Sequence, residues 1–344
     1  MAGLFKLMDP VGTSLIVTEY LKFIDISFMI PVALSLGEVL AFCETVVGAI
    51  VLSGIWGKVA AFFSAIFMLF FTVLTIVLCI ANPEMDCGCF GDALHLTHFQ
   101  SLLKNIVLDI LWVIAFIPFT KSIPLTKIKW AYFSFSFFII AIFALYCAVT
   151  IPPIDFTPMA PGNTLYQAEY ENKDAPILSF CNRDGEYADS LATQGRVMVI
   201  SIYSPQKLKS SNWEKIDDLI HIATSEDFNV ILLTTEFQSQ IDLISIKRTY
   251  LADRKTLMTL NRSNGGVTYI SDGIIVNKWA KCRYPSESIL KKLYISNSTN
   301  VTKLTKAQAY ICTYGFILIM LGLLVAIPYI EPRKNTRREH IENI

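Results

Sequence analysis

Two cysteines separated by one glycine, Cys87 and Cys89, sit in the stretch DCGCFGDALH between two long apolar runs. Such a pair can exchange with an outside thiol, brace its own loop, or bind a metal. A disulfide prefers Cα atoms ~5.5 Å apart, so a Cys-x-Cys bridge needs a bent backbone, which Gly88 can supply. A strained, exposed bridge is easier to reduce, which favours exchange over bracing. Asp86 and Asp92 flank the pair, and nearby carboxylates disfavour a thiolate. The expected resting form is therefore an oxidised pair awaiting an incoming thiolate, with Cys87 left to hold a partner if Cys89 is removed. Lys104, at the start of the next apolar run, is expected closer to the pair than Glu44 is, where its charge would offset Asp86 and Asp92. The metal alternative uses Cys87, Cys89, His95 and His98, four soft ligands, but their Cys-x-Cys spacing is shorter than that of the usual zinc pairs.

The elements that must position this loop are membrane helices. The chain has 344 residues, 53% hydrophobic and 17% charged, with a mean hydropathy of +0.48. That is too apolar for an ordinary soluble protein. Formal net charge is zero, so no basic field points to nucleic acid. Crossing ~30 Å of hydrocarbon takes roughly 20 apolar residues, and five runs qualify: Met29–Leu52, Val59–Ala81, Ser101–Phe119, Trp130–Ile151 and Ala309–Ile330. Lys121, Lys127 and Lys129 follow the third run with no acid among them. Arg333, Lys334, Arg337 and Arg338 follow the fifth. Both clusters mark the cytoplasmic side. Asn82–Gln100 and Pro152–Gln308 then lie outside, where disulfides persist. The opening MAGLFKLMDP is too short to span and reads as the outer end of a helix most of which the sequence does not contain.

Charges interrupt these runs. Glu38 and Glu44 lie in the first, and Lys104, Asn105 and Asp109 in the third. A charge in hydrocarbon costs at least ~2.5 kcal/mol on insertion scales, so such residues face the bundle interior and have partners. Asn105 and Asp109 are one turn apart on one face. Lys104 can snorkel to the outer interface. Two uses are open: a polar core that passes protons or holds a quinone-like partner, or Glu–Lys and Glu–Asn contacts that join helices.

Between the fourth and fifth runs, PPIDFTPMAP (152–161) reads as an extended linker. RVMVISIYS (196–204) and NVILLTT (229–235) read as buried strands. SNWEKIDDLIHIATSEDF reads as a helix capped by Ser211 or Asn212, and QIDLISIKRTYL (240–251) as a second helix. Gly265–Trp279 reads as a hairpin turning at Asp272-Gly273. Strand–helix–strand–helix–hairpin is the thioredoxin order. The slot after the first central strand, Ser204–Trp213, holds no cysteine, so the domain is expected to bind rather than exchange. Cys181 and Cys282 are its only cysteines, paired or free. Asn261, Asn297 and Asn300 head glycosylation sequons.

GLFKLMDPVGTSLIVTEYL, the intramembrane ETVVG and NPEMDCGCFGDALHLTHFQSLLKNIVL together resemble the DoxX-like/methylamine-utilisation MauE family of membrane bundles. The chain is similar to the long Bacteroidetes form fused to a thioredoxin-like domain, although most of the first family helix is missing. The resemblance implies a polytopic α-helical bundle, with that first helix truncated, plus an α/β thioredoxin-like extracytoplasmic domain. The division is bundle 1–120, an additional span 121–151, a periplasmic domain 152–300, a last span 309–330 and a basic cytoplasmic tail 331–344. It also implies a bacterial inner-membrane location and thiol–disulfide handling or maturation of a periplasmic protein partner, in contact with membrane lipid. No cofactor is evident, and a quinone is compatible with the polar core. Two rivals remain: a non-enzymatic scaffold whose loop disulfide is structural, and a transporter or quinone-binding bundle.

Overall fold

The computed structural model describes residues 2–85, 87–116, 126–167, 175–237 and 248–329. Five helical segments are long and apolar enough to cross a membrane: Ser27–Ser53, Gly57–Ala81, His98–Phe116, Lys127–Val149 and Ser298–Ala326. They correspond one for one to the apolar runs. Large apolar side chains such as Phe62, Leu69, Ile110, Phe138, Ile142 and Leu318 project outward, as lipid-facing residues must. The chain is a multi-pass membrane protein.

The chain before the first span does not form the end of one straight helix. It forms two, α1 (Ala2–Met8) and α2 (Pro10–Phe23). Pro10 cannot continue the helical bonding of α1, and Asp9 caps α2 by accepting from Gly12 N at 2.8 Å. Leu4, Leu7 and Met8 of α1 are buried in the bundle core. They pack there because α3 (Ala33–Ser53) presents a stripe of small buried residues, Ala33, Gly37, Ala41, Ala49 and Ser53. Small side chains let helix backbones approach closely: a Cβ on Gly3 would sit 2.7 Å from Thr45 Oγ1, and one on Gly37 3.1 Å from Thr13 Cγ2.

Next, α4 (Gly57–Ala81) and α5 (His98–Phe116) form an antiparallel pair joined by polar contacts. Asn105 Nδ2 donates to Thr75 Oγ1 and to Phe71 O, both at 3.1 Å. Thr72 donates to Asp109 at 2.8 Å, and Trp112 to Ser64 at 2.8 Å. The following span, α6 (Lys127–Val149), begins beside the α3–α4 turn, where the Trp56 and Trp130 rings meet edge-on at 5.6 Å. Tryptophans at helix ends mark a membrane interface.

The α/β domain is built on a six-stranded sheet of order β1-β4-β3-β2-β5-β6. The strands are β1 (Phe180–Cys181), β2 (Arg196–Ile202), β3 (Asn229–Thr234), β4 (Thr249–Ala252), β5 (Gly266–Ser271) and β6 (Ile274–Trp279). Strands β2, β3 and β4 are parallel, and β5 and β6 form the expected hairpin. Asp272 and Gly273 both take positive φ at its turn. Alternation along β2 divides the core. Met198, Ile200 and Ile202 face α7 (Ser210–Ser225) and α9 (Glu287–Ile295), while Val197 and Val199 pack with Leu257 and Leu260 of α8 (Arg254–Leu260).

Three sequence expectations change here. Thr249–Leu251, expected to end a helix, lies in β4, and the helix before the hairpin is α8; residues 240–247 lie outside the described residues. The Thr-Tyr-Leu run pairs with β3 on one side and β1 on the other, so pairing overrides the helical spacing. The 152–161 segment is no free linker, because Asp155 forms a 2.6 Å ion pair with Lys278 of β6 and Thr157 is buried. The first helix of the domain starts at Ser210, with Lys209 rather than Ser211 or Asn212 at its cap. The last helix, α10 (Ser298–Ala326), begins within the α/β domain, with Thr302 buried near Val276, and runs without a break through the bundle.

Candidate functional site

The connection between α4 and α5 crosses the bundle on the side that carries the α/β domain. Asn82, at positive φ, ends α4, and His98 Nε2 contacts the Pro83 carbonyl at 3.1 Å, tying the two ends of the loop. Between them Cys87 Sγ and Cys89 Sγ are 3.0 Å apart, in contact as thiols. Cys87 is 4% exposed and Cys89 is half-buried. Gly88 has φ +63°, and Ile16 of α2 occupies the space a Cβ there would need. Tyr20 Oη, also on α2, donates to the Cys87 carbonyl at 2.6 Å. The fully buried Ser101 hydroxyl adjoins the Cys87 thiol and has no closer partner among the described residues.

Two ammonium groups approach this pair. Lys104 of α5 stands 5.0 Å from the Phe90 ring and beside Cys89. Lys6 of α1 forms a 2.8 Å ion pair with Glu44 of α3 and lies 4.7 Å from the Phe71 ring. Contact with Cys87, then the fields of Lys104 and Lys6, outweigh burial and pull the Cys89 thiol down to about 6. The same contact, reinforced by burial, pushes Cys87 up. The first proton of the pair therefore leaves Cys89.

This reverses the expectation that carboxylates suppress the thiolate. Asp92 pairs with Arg262, which enters from the loop after α8, and the charges that act most on Cys89 are the two lysines. Asp86 lies outside the described residues. Arg262, with only 4% of its side chain exposed, also holds Asp9 at 2.9 Å and donates to Met258 O at 3.0 Å. Burial opposes the Arg262 charge, and Asp9 and Asp92 together outweigh it. A 3.0 Å pair between Lys255 of α8 and Glu19 of α2 adds a second contact. The α/β domain thus docks on the cysteine loop and on the α1–α2 corner.

Other sequence candidates fall elsewhere. Glu44 meets Lys6, a Glu–Lys contact joining helices. Asn105 and Asp109 face α4 and bond Thr75 and Thr72. Glu38 is half-buried on α3 and forms no ion pair among the described residues. No three of the described His, Cys, Asp and Glu side chains converge as a metal site, and His98 faces a carbonyl instead. Cys181 and Cys282 cannot pair. Cys181 is in one edge strand and Cys282 follows the other, with strands ~4.8 Å apart between them. Asn261, read as a sequon, is fully buried, its Nδ2 donating to Val267 O.

The loop, its two lysines and the helices that carry them define a segment that ends with α5. Residues 1–118 match the family model described as methylamine utilisation protein MauE. This MauE-like segment holds every polar group just described except those of the α/β domain. The match stops before α6, and the α/β domain and α10 lie beyond it. No curated protein and no solved structure matches the chain.

Lys6, Tyr20 and Arg262 were missed from the sequence. A lone lysine within GLFKLM was the available signal, since a cation among apolar residues calls for a buried acid. Nothing local marked Arg262, whose partners lie 253 and 170 residues away.

Proposed function

We propose that the protein is a membrane thiol–disulfide exchanger that matures an extracytoplasmic protein partner, with Cys89 as the attacking sulfur and Cys87 as the resolving one. The observation that carries this reading is the 3.0 Å contact between a half-buried and a buried thiol beside two lysines that favour the outer one as thiolate. The Cys89 thiolate attacks one sulfur of a partner disulfide, forming Cys89–S–S–partner and releasing the other partner sulfur as thiolate. Cys87 gives its proton to that thiolate and attacks Cys89 Sγ. The Cys87–Cys89 disulfide forms and the second partner sulfur leaves. The reverse sequence oxidises a partner dithiol through the same mixed disulfide.

The α/β domain, in this reading, is a thioredoxin-like docking module without a dithiol of its own. Its strand order around β2 and the position of α7 after that strand support the assignment. The domain and the cysteine loop face the periplasm or its equivalent, and the basic 121–129 segment and tail face the cytoplasm.

The test is Cys87→Ser in living cells. A reductant-sensitive adduct through Cys89 should accumulate, and it should be absent in the Cys87→Ser/Cys89→Ser double variant. If no adduct forms and the double variant merely lowers thermal stability, the loop is a brace and the protein a scaffold.

A further inference from the structure

The Lys6–Glu44 pair holds a cation next to the cysteine loop from within the bundle. Lys6 is only 6% exposed, yet it sits on a helix whose neighbouring side chain, Phe5, meets Phe90 of the cysteine loop at 6.3 Å. Glu44 enters from α3 and holds the ammonium at 2.8 Å, while the Phe71 ring covers another side at 4.7 Å. Thr13 Oγ1 donates to the Lys6 carbonyl at 3.0 Å, closing the backbone where α1 ends. Three helices therefore converge to fix one charge. A purely structural ion pair inside an apolar bundle is poor value, since replacing it by apolar residues is often neutral or stabilising.

We propose that Lys6, positioned by Glu44, is the second counter-cation of Cys89, acting together with Lys104. The inference rests on the exchange reading of the cysteine pair and assigns the intramembrane carboxylate of that reading a task. Glu44 is a positioning residue: it holds Lys6 in place and relays no proton. The charged and titratable groups about Cys89 are Cys87 in its own loop, Lys104 from α5, Lys6 from α1 and Tyr20 from α2. Asp92 belongs to Arg262. When Cys89 becomes a thiolate, no counter-ion has to enter from water, because both cations are already in place.

The experiment is pulse alkylation of the reduced full-length protein in native membranes, using iodoacetamide between about pH 5 and pH 9, with each cysteine resolved by mass spectrometry. Removing Lys6 alone strands Glu44, so the principal variant is Lys6→Met/Glu44→Gln, which keeps volume and removes both charges. It should slow Cys89 alkylation at neutral pH about three- to tenfold and move the profile to higher pH. Lys6→Arg should stay within about twofold of the native rate. The exchanged pair Lys6→Glu/Glu44→Lys keeps an ion pair but turns a carboxylate toward the loop, so it should react more slowly still. A native rate in the double variant, or its recovery in the exchanged pair, overturns the proposal. Alkylation of exposed Cys282 controls for reagent activity, and protection of buried Cys147 controls for intact folding. This readout needs no partner protein, so a normal Lys6 effect without any trapped adduct would sink the exchange reading and leave the counter-cation standing.

Discussion

Asn264 holds the backbone of Ser204 from both sides. Its Oδ1 accepts from Ser204 N at 2.9 Å, and its Nδ2 donates to Ser204 O at 2.7 Å. Both residues are buried. The chain leaving β2 is thereby closed against the loop before β5.

Asn264→Ala should leave a buried amide and a buried carbonyl without partners, at about 1–3 kcal/mol for each unsatisfied group. Thermal unfolding of the purified protein should occur several degrees lower. Asn264→Asp keeps the acceptor but sets a buried carboxylate against the Ser204 carbonyl, so it should be at least as destabilised. The rate of Cys89 alkylation at room temperature should not change in either variant, and a large change would show that the slot takes part in the chemistry.

The depressed Cys89 value fixes a pH signature. An ordinary thiol titrates at about 8.5, whereas Cys89 is drawn to about 6. Cys89 alkylation in the reduced protein should therefore rise to half its maximum near pH 6 and level off above neutrality. Cys87, pushed up, should stay unreactive throughout. The folded value lies below the unfolded one. The extra stability this gives the reduced protein is therefore present above about pH 8.5 and is lost as pH falls through the folded value. A half-maximum near 8.5 for Cys89 would contradict the arrangement of the two lysines.

Gly88 and Gly91 separate two costs of replacing glycine. Both have positive φ, +63° and +61°, but Ile16 crowds the first and nothing lies within 4 Å of the second. Gly91→Ala should cost only about 1 kcal/mol of backbone strain. Gly88→Ala should cost several times more and should displace α2 or the loop. Adding Ile16→Ala should recover part of the loss in thermal stability and none of the strain. Equal costs at the two sites would mean that α2 does not press on the cysteine loop.

Arg262→Met should leave Asp9 and the partly exposed Asp92 without their shared cation, and breaking a largely buried arrangement of this kind costs up to about 3–5 kcal/mol. The α/β domain should loosen from the loop, raising both protease sensitivity near 152–161 and the rate of Cys89 alkylation. Arg262→Lys should rescue partly, because a single ammonium lacks the fork that reaches two carboxylates. Unchanged rates in both assays would remove Arg262 as the fastening between domain and loop.

How much of this was visible beforehand follows the range of each interaction. The five spans and the Asp272-Gly273 hairpin were legible because apolar run length and turn chemistry are local. The helix expected over 240–251 failed in its described part because Thr249, Tyr250 and Leu251 pair with β3, and strand pairing is not local. Asp92 was misjudged by proximity in sequence: it lies three residues from Cys89, yet its partner is Arg262. Glu44 was correctly marked as needing a partner, but that partner, Lys6, lies on a helix that sequence reasoning took for a fragment.

α10 joins lipid to sheet in one piece. Its 29 residues make a rod of ~44 Å, against a hydrocarbon core of ~30 Å, so about a third of it stands above the bilayer as part of the domain's packing. Tyr310 and Tyr314, stacked at 5.8 Å, mark the depth at which the rod enters. No hinge separates its two parts. A bilayer thinner than this helix prefers is met by tilt, and any such tilt swings the upper third through the same angle. The domain it carries rests on the cysteine loop through Arg262. Membrane thickness is therefore a mechanical coordinate of the thiol site, set by a helix that contributes no residue to it.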